Sequence, residues 1–173
     1  MGRNGRMFSL AAATVICLWA CATSAHSAAR NTSHHGISYQ TANETLVGRK
    51  AIRLRGEAST ANNGGFLQIA LDLDPKTDSF DAGSFAGLEI DVFGNHQNYA
   101  AHLRTAELSR PQQSYRQTFV TTPTWRTLQL PFVQFLPHRT EIPLNTTRLK
   151  RIGLVAIGRE FAVDLSVARL AFY

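Results

Sequence analysis

Short runs of alternating apolar and polar residues, separated by turn residues, constrain the fold of this chain more than any other feature. In residues 88–92 every second side chain is apolar, which is the period-2 pattern of a half-buried strand. Comparable runs lie at residues 51–55, 66–73, 99–105, 114–121, 125–130, 152–157 and 161–173. No window of helical length shows a 3.6-residue apolar period, and the alternation changes phase near Val167, which predicts a β-bulge in the last run. We therefore predict an all-β domain of about eight or nine strands, folded as a two-sheet sandwich or jelly roll.

The N-terminus has the pattern of a secretory signal. Arg3 and Arg6 precede an apolar run at residues 10–22, and small residues follow the run. This run is too short for a membrane span, which needs about 20 residues. We predict cleavage after Ala25, which divides the chain into a signal peptide (1–25), a flexible polar lead-in (26–45) and a jelly-roll domain (46–173). The mature chain is expected in the periplasm or outside the cell, without a transmembrane span.

Both cysteines of the chain, Cys17 and Cys21, lie within the predicted signal. The mature domain therefore has no thiol for a disulfide, a metal site or a nucleophile. Residues 18–21, Leu-Trp-Ala-Cys, are similar to a bacterial lipobox. A lipoprotein anchored through Cys21 is thus the alternative to a free exported protein.

The charge pattern argues against a nucleic-acid partner. The formal net charge of +6 falls to +4 when Arg3 and Arg6 leave with the signal. The remaining cations are scattered, apart from Arg148, Lys150 and Arg151. Nucleic-acid binding requires a denser basic stripe, so we interpret these cations as solvated surface charge.

Several short motifs form an ordered set that covers most of the mature chain. They are Asn63-Gly64-Gly65-Phe66, Phe85-Ala86-Gly87-Leu88, His102-Leu103-Arg104-Thr105, Tyr115-Arg116-Gln117, Trp125-Arg126-Thr127-Leu128, Ile152-Gly153-Leu154 and Phe172-Tyr173. This set resembles the complex I intermediate-associated protein 30 family. The resemblance implies a galactose-binding-like jelly-roll sandwich of two antiparallel sheets, and a scaffold in the assembly of respiratory complex I rather than a catalyst. Similar domains occur in exported bacterial proteins, the group that the predicted signal favours.

Polar residues on two neighbouring strands are predicted to form a ligand site on the concave face of such a jelly roll. His102 and Arg104 lie two apart on one strand and share a face, and Tyr115 and Gln117 lie two apart on the next. Arginine, amide and tyrosine groups suit sugar hydroxyls or a carboxylate on a partner. A structural polar network is the alternative. Trp125, the one tryptophan of the mature chain, joins the site if its ring is exposed, and otherwise packs in the core or at a sheet edge.

Catalysis and metal binding have weaker support. Glu89 and Asp91 share a strand face, as paired acid and base groups would, but a solvated face beside cations explains them better. No phosphate loop, Ser-His-Asp constellation or H-E-x-x-H motif is recognisable. Asp72, Asp74 and Asp78 surround one loop and are weak candidates for a structural calcium, although their spacing follows no calcium-loop motif. We expect no enzyme activity and no cofactor other than such a calcium ion.

These observations lead to two hypotheses of function. The first is a non-enzymatic exported binding or assembly-factor domain that holds a protein partner, such as a respiratory-complex component at a membrane. The alternative is a carbohydrate-binding module that uses the concave sheet face. The motifs and the lack of catalytic residues favour the first hypothesis, and the jelly roll with its polar strand residues favours the second.

Overall fold

The computed structural model describes residues 30–34, 37–60, 65–73 and 78–173. Within them the chain forms eleven strands, which are β1 (Arg30–His34), β2 (Ile37–Leu46), β3 (Arg49–Ala58), β4 (Leu67–Asp72), β5 (Gly87–Gly94), β6 (Asn98–Thr105), β7 (Ser114–Val120), β8 (Arg126–Pro131), β9 (Leu136–His138), β10 (Leu149–Ala156) and β11 (Phe161–Phe172). Single turns of 3-10 helix follow β8 at Phe132–Gln134 and precede β10 at Thr146–Arg148. The described residues include no helix that is long and apolar enough to cross a membrane.

The strands form two antiparallel sheets. One has six strands in the order β1-β2-β3-β11-β5-β8, and the other has five in the order β4-β10-β6-β7-β9. This arrangement confirms the predicted all-β sandwich of two antiparallel sheets. The pairing of β11 with β5 shifts register between Val167 and Arg169, so the predicted β-bulge is also confirmed.

The core lies between the two sheets and consists of the apolar half of each alternating pattern. Leu54, Ile90 and Leu165 of the six-stranded sheet are fully buried, as are Leu103 and Leu154 of the five-stranded sheet. Each such side chain contributes about 1.5–3 kcal/mol to stability through burial. Because strand side chains alternate, the intervening residues of the five-stranded sheet lie on its outer face.

The segment predicted as a flexible lead-in, residues 26–45, differs from that prediction in its described part. β1 lies inside it, and β2 pairs with β3 from Tyr39–Gly56 to Leu46–Arg49. No apolar alternation indicates these strands, because the described side chains of β2 are exposed or half-buried and backbone hydrogen bonds hold the strand. The predicted signal, residues 1–25, lies outside the described residues.

Candidate functional site

The outer face of the five-stranded sheet carries a groove that crosses every strand. Its main hollow has a volume of about 570 Å³ and is lined by Gln68 from β4, Arg151 from β10, His102 from β6, Arg116 from β7 and His138 from β9. A second hollow of about 200 Å³ shares His102 and Arg116 with the first and reaches Arg159. Since they share side chains, the two hollows form one continuous depression, referred to below as the groove.

The antiparallel register places the cationic side chains of the groove beside one another. His102 lies opposite Arg116 on one side and opposite Gly153 on the other, and Arg104 lies opposite Arg151. Directly paired residues of an antiparallel sheet point to the same face. Gly153, which lies opposite His102, adds no side chain of its own to this face.

His102 lines both hollows of the groove, with its imidazole largely buried. Its Nε2 atom is buried and has no hydrogen-bond partner among the described residues. Burial, together with the charges of Arg116 and His138, lowers the pKa of the imidazole to about 4. The ring is therefore neutral at pH 7, and its Nε2 atom lies beneath the surface of the groove.

The arginines of the groove fall into two groups. Arg104 donates to the carbonyl oxygens of Pro111 and Leu108 and so holds the loop between β6 and β7. Arg151 makes two hydrogen bonds, of 2.5 and 3.0 Å, to the Asp72 carboxylate. These two side chains are therefore committed to the protein itself.

Arg116 and Arg139 have no carboxylate within ion-pair distance in the part of the chain that the structure describes. Arg116 donates from Nε to the Ser114 hydroxyl at 3.0 Å. Burial, and secondly the charge of Arg139, lower the pKa of the Arg116 guanidinium. Two like charges thus converge on the groove without an anion between them.

The structure separates the four strand residues that the sequence analysis grouped in one site. His102 and Arg104 line the groove, whereas Tyr115 and Gln117 point to the opposite side of β7. Tyr115 is fully buried, and its hydroxyl donates to the carbonyl oxygens of Ile142 and Pro143 at 2.9 and 3.1 Å. Gln117 donates to the Gln134 side chain at 2.9 Å. The placement of Tyr115 and Gln117 on the ligand face is corrected: they lie on the inner side, between the sheets.

Trp125 lies away from the groove, beside the outer face of the six-stranded sheet. Its indole N–H donates to the carbonyl of Leu46 at 3.0 Å. The ring packs against Phe93 at a centroid distance of 5.7 Å, and the Arg49 guanidinium lies 5.5 Å from its centroid. The structure therefore favours the packing interpretation of Trp125 and separates it from His102 and Arg104.

Sequence reasoning missed Arg116, although a signal for it was present. Tyr115 and Phe119, the large apolar residues of β7, are four positions apart and therefore point to the same face of the strand, which predicts that they face the core. Arg116 lies next to Tyr115 in the strand and therefore points to the outer face, where it is paired with His102 of β6. Arg139 follows β9 in a loop, where no periodic pattern indicates its direction.

The carboxylates considered for catalysis and calcium are paired with cations. Glu89 contacts Arg169, which lowers the pKa of Glu89, and Asp91 pairs with Arg49 at 3.2 Å on the outer face of the six-stranded sheet. An ionised Glu89 is a poor proton donor at neutral pH.

The loop carboxylates considered for calcium are likewise engaged. Asp72 pairs with Arg151 and Asp78 with Lys150, while Asp74 lies outside the described residues. No group of three acidic, histidine or cysteine residues in the described ranges is arranged to hold a metal ion. The described part of the predicted calcium set therefore does not fit the ion, because each carboxylate already holds a cationic side chain.

Comparison with protein families gives one match that covers most of the chain. The model of the family described as complex I intermediate-associated protein 30 matches residues 27–167. This range includes the residues that line the groove and all eleven strands, apart from residues 168–172 at the end of β11. No curated protein matches the chain.

Solved structures of carbohydrate-binding modules share the fold. The family 11 module from Clostridium thermocellum, in complex with a β-1,3-1,4-mixed-linked tetrasaccharide, has a TM-score of 0.67 at 11% identity, over 83% of this chain and 87% of that chain. The family 30 module of a cellulosomal cellulase of Clostridium thermocellum has a TM-score of 0.61 at 11% identity, over 85% and 91%. An exo-β-agarase has a TM-score of 0.54 at 10% identity, over 84% of this chain and 23% of that chain. These likenesses confirm the predicted galactose-binding-like jelly roll.

Proposed function

Because the chain belongs to the complex I intermediate-associated protein 30 family, we propose that it is a non-catalytic binding domain of the assembly-factor type. In this proposal the mature chain is exported through the predicted signal and holds a protein partner in the groove across the five-stranded sheet. The family name refers to complex I, so the proposed kind of partner is a respiratory-complex component at a membrane.

The contrast between the two sheet faces carries this proposal. On the six-stranded sheet, Arg53 pairs with Asp164 at 2.6 Å and Arg49 pairs with Asp91 at 3.2 Å. In the groove, the Arg116 guanidinium is partly withdrawn from water and has no carboxylate partner among the described residues, and the neutral imidazole of His102 is largely buried. Burying polar groups without such partners is costly, which supports a ligand that completes the groove.

A protein partner is tested by site-specific photo-crosslinking in cells. A photo-reactive residue replaces Gln112, which is exposed at the rim of the groove, or Lys50, which is exposed on the six-stranded sheet. We expect a crosslinked protein in the membrane fraction from position 112 and none from the control position 50. Equal crosslinking from both positions, or none from position 112, would contradict the proposal.

Carbohydrate binding is the second candidate function, supported by the fold shared with the two carbohydrate-binding modules and by a groove that crosses all five strands. It is tested by affinity electrophoresis in a gel that contains a mixed-linked β-1,3-1,4-glucan. Retardation of the wild type that is lost in Arg116→Ala would favour this candidate. Unchanged mobility of both proteins would leave the protein partner as the better supported function.

A further inference from the structure

The groove has more cationic than anionic side chains around it. Arg104, Arg116, Arg139 and Arg151 line its main hollow, and Arg159 lines the second. No aspartate or glutamate is among the described residues that line either hollow. Asp72, just outside the lining, is held by Arg151. The groove therefore has an excess of cationic side chains that face one another.

Two of these side chains are free to bind an anion. Among the described residues, the Arg116 side chain donates a hydrogen bond to the Ser114 hydroxyl, and burial and the charge of Arg139 lower the pKa of its guanidinium. A carboxylate between the two guanidinium groups would relieve this repulsion, and it suits their paired N–H donors. His102 lies opposite Arg116 in the pairing of β6 with β7, and its neutral ring adds no charge to the groove at pH 7.

The aromatic content of the groove distinguishes between sugar and peptide ligands. Among the described lining residues, the aromatic side chains other than histidine are Phe66, at the rim and 39% exposed, and Tyr99, which is 1% exposed. Sugar rings are usually held by stacking on exposed aromatic faces, and the floor of this groove has none in the described part of the chain. The donors Gln68 and Gln113 line it instead, and amide side chains suit a peptide backbone.

The dimensions of the groove define the length of a suitable segment. Five strands at a spacing of about 4.8 Å span roughly 19 Å across the sheet. An extended peptide covers about 3.3 Å per residue, so the groove accommodates about six residues. This length fits a short extended segment better than a folded surface.

From these observations we infer that the groove binds an extended acidic segment of a protein partner, with carboxylates received by Arg116 and Arg139. The inference rests on the proposed function and specifies the chemistry of the partner at the same site. Electrostatic attraction of this kind is weakened by salt, because the contacts lie at a partly exposed surface.

The inference is tested with fluorescein-labelled hexaglutamate, and with hexaglutamine as the neutral probe of equal length. By fluorescence anisotropy, the mature protein should bind hexaglutamate at least about tenfold more tightly than hexaglutamine, and the difference should shrink as sodium chloride increases. Arg116→Ala should weaken hexaglutamate binding about fivefold, the factor expected of one partly exposed ion pair. Arg126→Ala is the matched control, because Arg126 is exposed on β8, lines neither hollow of the groove and loses the same charge.

A second variant separates charge from folding. Arg139 has a positive φ of 55°, which glycine adopts at lower cost. Arg139→Gly should therefore keep or raise the melting temperature while it weakens hexaglutamate binding by about fivefold. Unchanged binding in this variant would contradict the inference, whatever the fate of Arg116→Ala.

Other probes define the outcomes that overturn the inference. Equal binding of hexaglutamate and hexaglutamine would show that the groove does not select acidic peptides. Tighter binding of hexagalacturonate, or of a short oligothymidylate, would assign the groove to an acidic polysaccharide or a nucleic acid.

The inference and the proposed function can fail separately. A partner that crosslinks from position 112 equally well in wild type and Arg116→Ala, with no hexaglutamate binding, would remove the inference and leave the proposed function. Selective hexaglutamate binding without any crosslinked protein would contradict the proposed function and leave the preference of the groove for acidic peptides in place.

Discussion

At the scale of single residues, His102 makes the stability of this domain depend on pH. Burial, Arg116 and His138 hold the pKa of its imidazole at about 4, below the ordinary value of 6.5. Between these values the unfolded chain binds a proton that the folded chain does not. The contribution of the neutral ring is therefore complete above about pH 6.5 and is lost as the pH falls toward 4.

We predict that the free energy of unfolding falls more steeply with acidification in the wild type than in His102→Gln. The difference between the two proteins should grow between pH 7 and pH 4 by at most about 3 kcal/mol, the free-energy equivalent of this pKa change. Urea denaturation at pH 7, 6, 5 and 4 measures it. Parallel pH profiles for the two proteins would show that His102 is not held neutral in the folded state.

A second prediction at this scale concerns Tyr115, whose hydroxyl donates to the backbone after β9. Tyr115→Phe should lower the free energy of unfolding by about 1 kcal/mol, because it removes this hydrogen bond and leaves the ring in the core. Hexaglutamate binding should stay at the wild-type level, in contrast to Arg116→Ala. If Tyr115→Phe folds normally and loses binding, Tyr115 contributes to the site after all.

At the scale of elements, the β2–β3 hairpin turns at an unfavourable residue. Val47 and Gly48 form its two-residue loop with φ values of 45° and 75°. Both angles are positive, as in a type I′ turn, where asparagine followed by glycine is preferred and a β-branched residue is strained. Val47 is 74% exposed, so its side chain adds little packing in return.

We predict that Val47→Asn raises the free energy of unfolding by about 1 kcal/mol. Val120→Asn is the matched control, since Val120 is also exposed, at 57%, but lies in strand β7. The control should be neutral or destabilising. Thermal denaturation of both variants compares the two positions, and a loss of stability in Val47→Asn would contradict the assignment of the turn.

The contact of β5 with β8 depends on a glycine. A Cβ atom at Gly87 would lie 2.4 Å from the carbonyl oxygen of Leu130 and 2.8 Å from Cα of Pro131, both of which belong to the backbone. We predict that Gly87→Ala lowers stability by about 1–3 kcal/mol, because the paired strands must separate. Gly153→Ala should have a small effect on stability, since its new Cβ would meet neighbours at 3.5 Å or more. Chemical denaturation of the two variants tests this difference.

At the scale of the whole molecule, the six-stranded sheet includes β1 and β2, which the sequence patterns do not indicate. Along β2, the Glu44 carboxylate accepts from Arg53 of β3 at 3.3 Å. Removal of these strands would leave β3 as an unpaired edge, and such edges promote aggregation. The folded unit therefore extends upstream of residue 46, where the sequence analysis begins the domain.

We predict that a chain of residues 46–173 is less stable than a chain of residues 26–173 by at least about 2 kcal/mol, because the hydrogen bonds between β2 and β3 are lost. The shorter chain should also aggregate at lower protein concentration. Urea denaturation and light scattering compare the two. Equal stability would show that β1 and β2 are accessory to the fold.

The local patterns of the sequence identify most of the strands and the buried side of several of them. The alternation around Ile90 and that around Leu103 predict both strands and their inner faces, because side chains of a strand alternate whatever its neighbours are. The bulge near Val167 follows from a change of that same pattern. The same alternation, applied to Tyr115 and Phe119, identifies the outward direction of Arg116.

The order and register of the strands determine which side chains meet in the groove. Arg116, Arg151 and His138 are distant in sequence, and they meet on one face because β10, β6, β7 and β9 are neighbours in the five-stranded sheet. A cationic groove therefore forms from arginines that look scattered along the chain. Side-chain alternation is a local property of the backbone and is determined by the sequence alone. The meeting of charges across strands depends on non-local packing, which only the tertiary structure establishes.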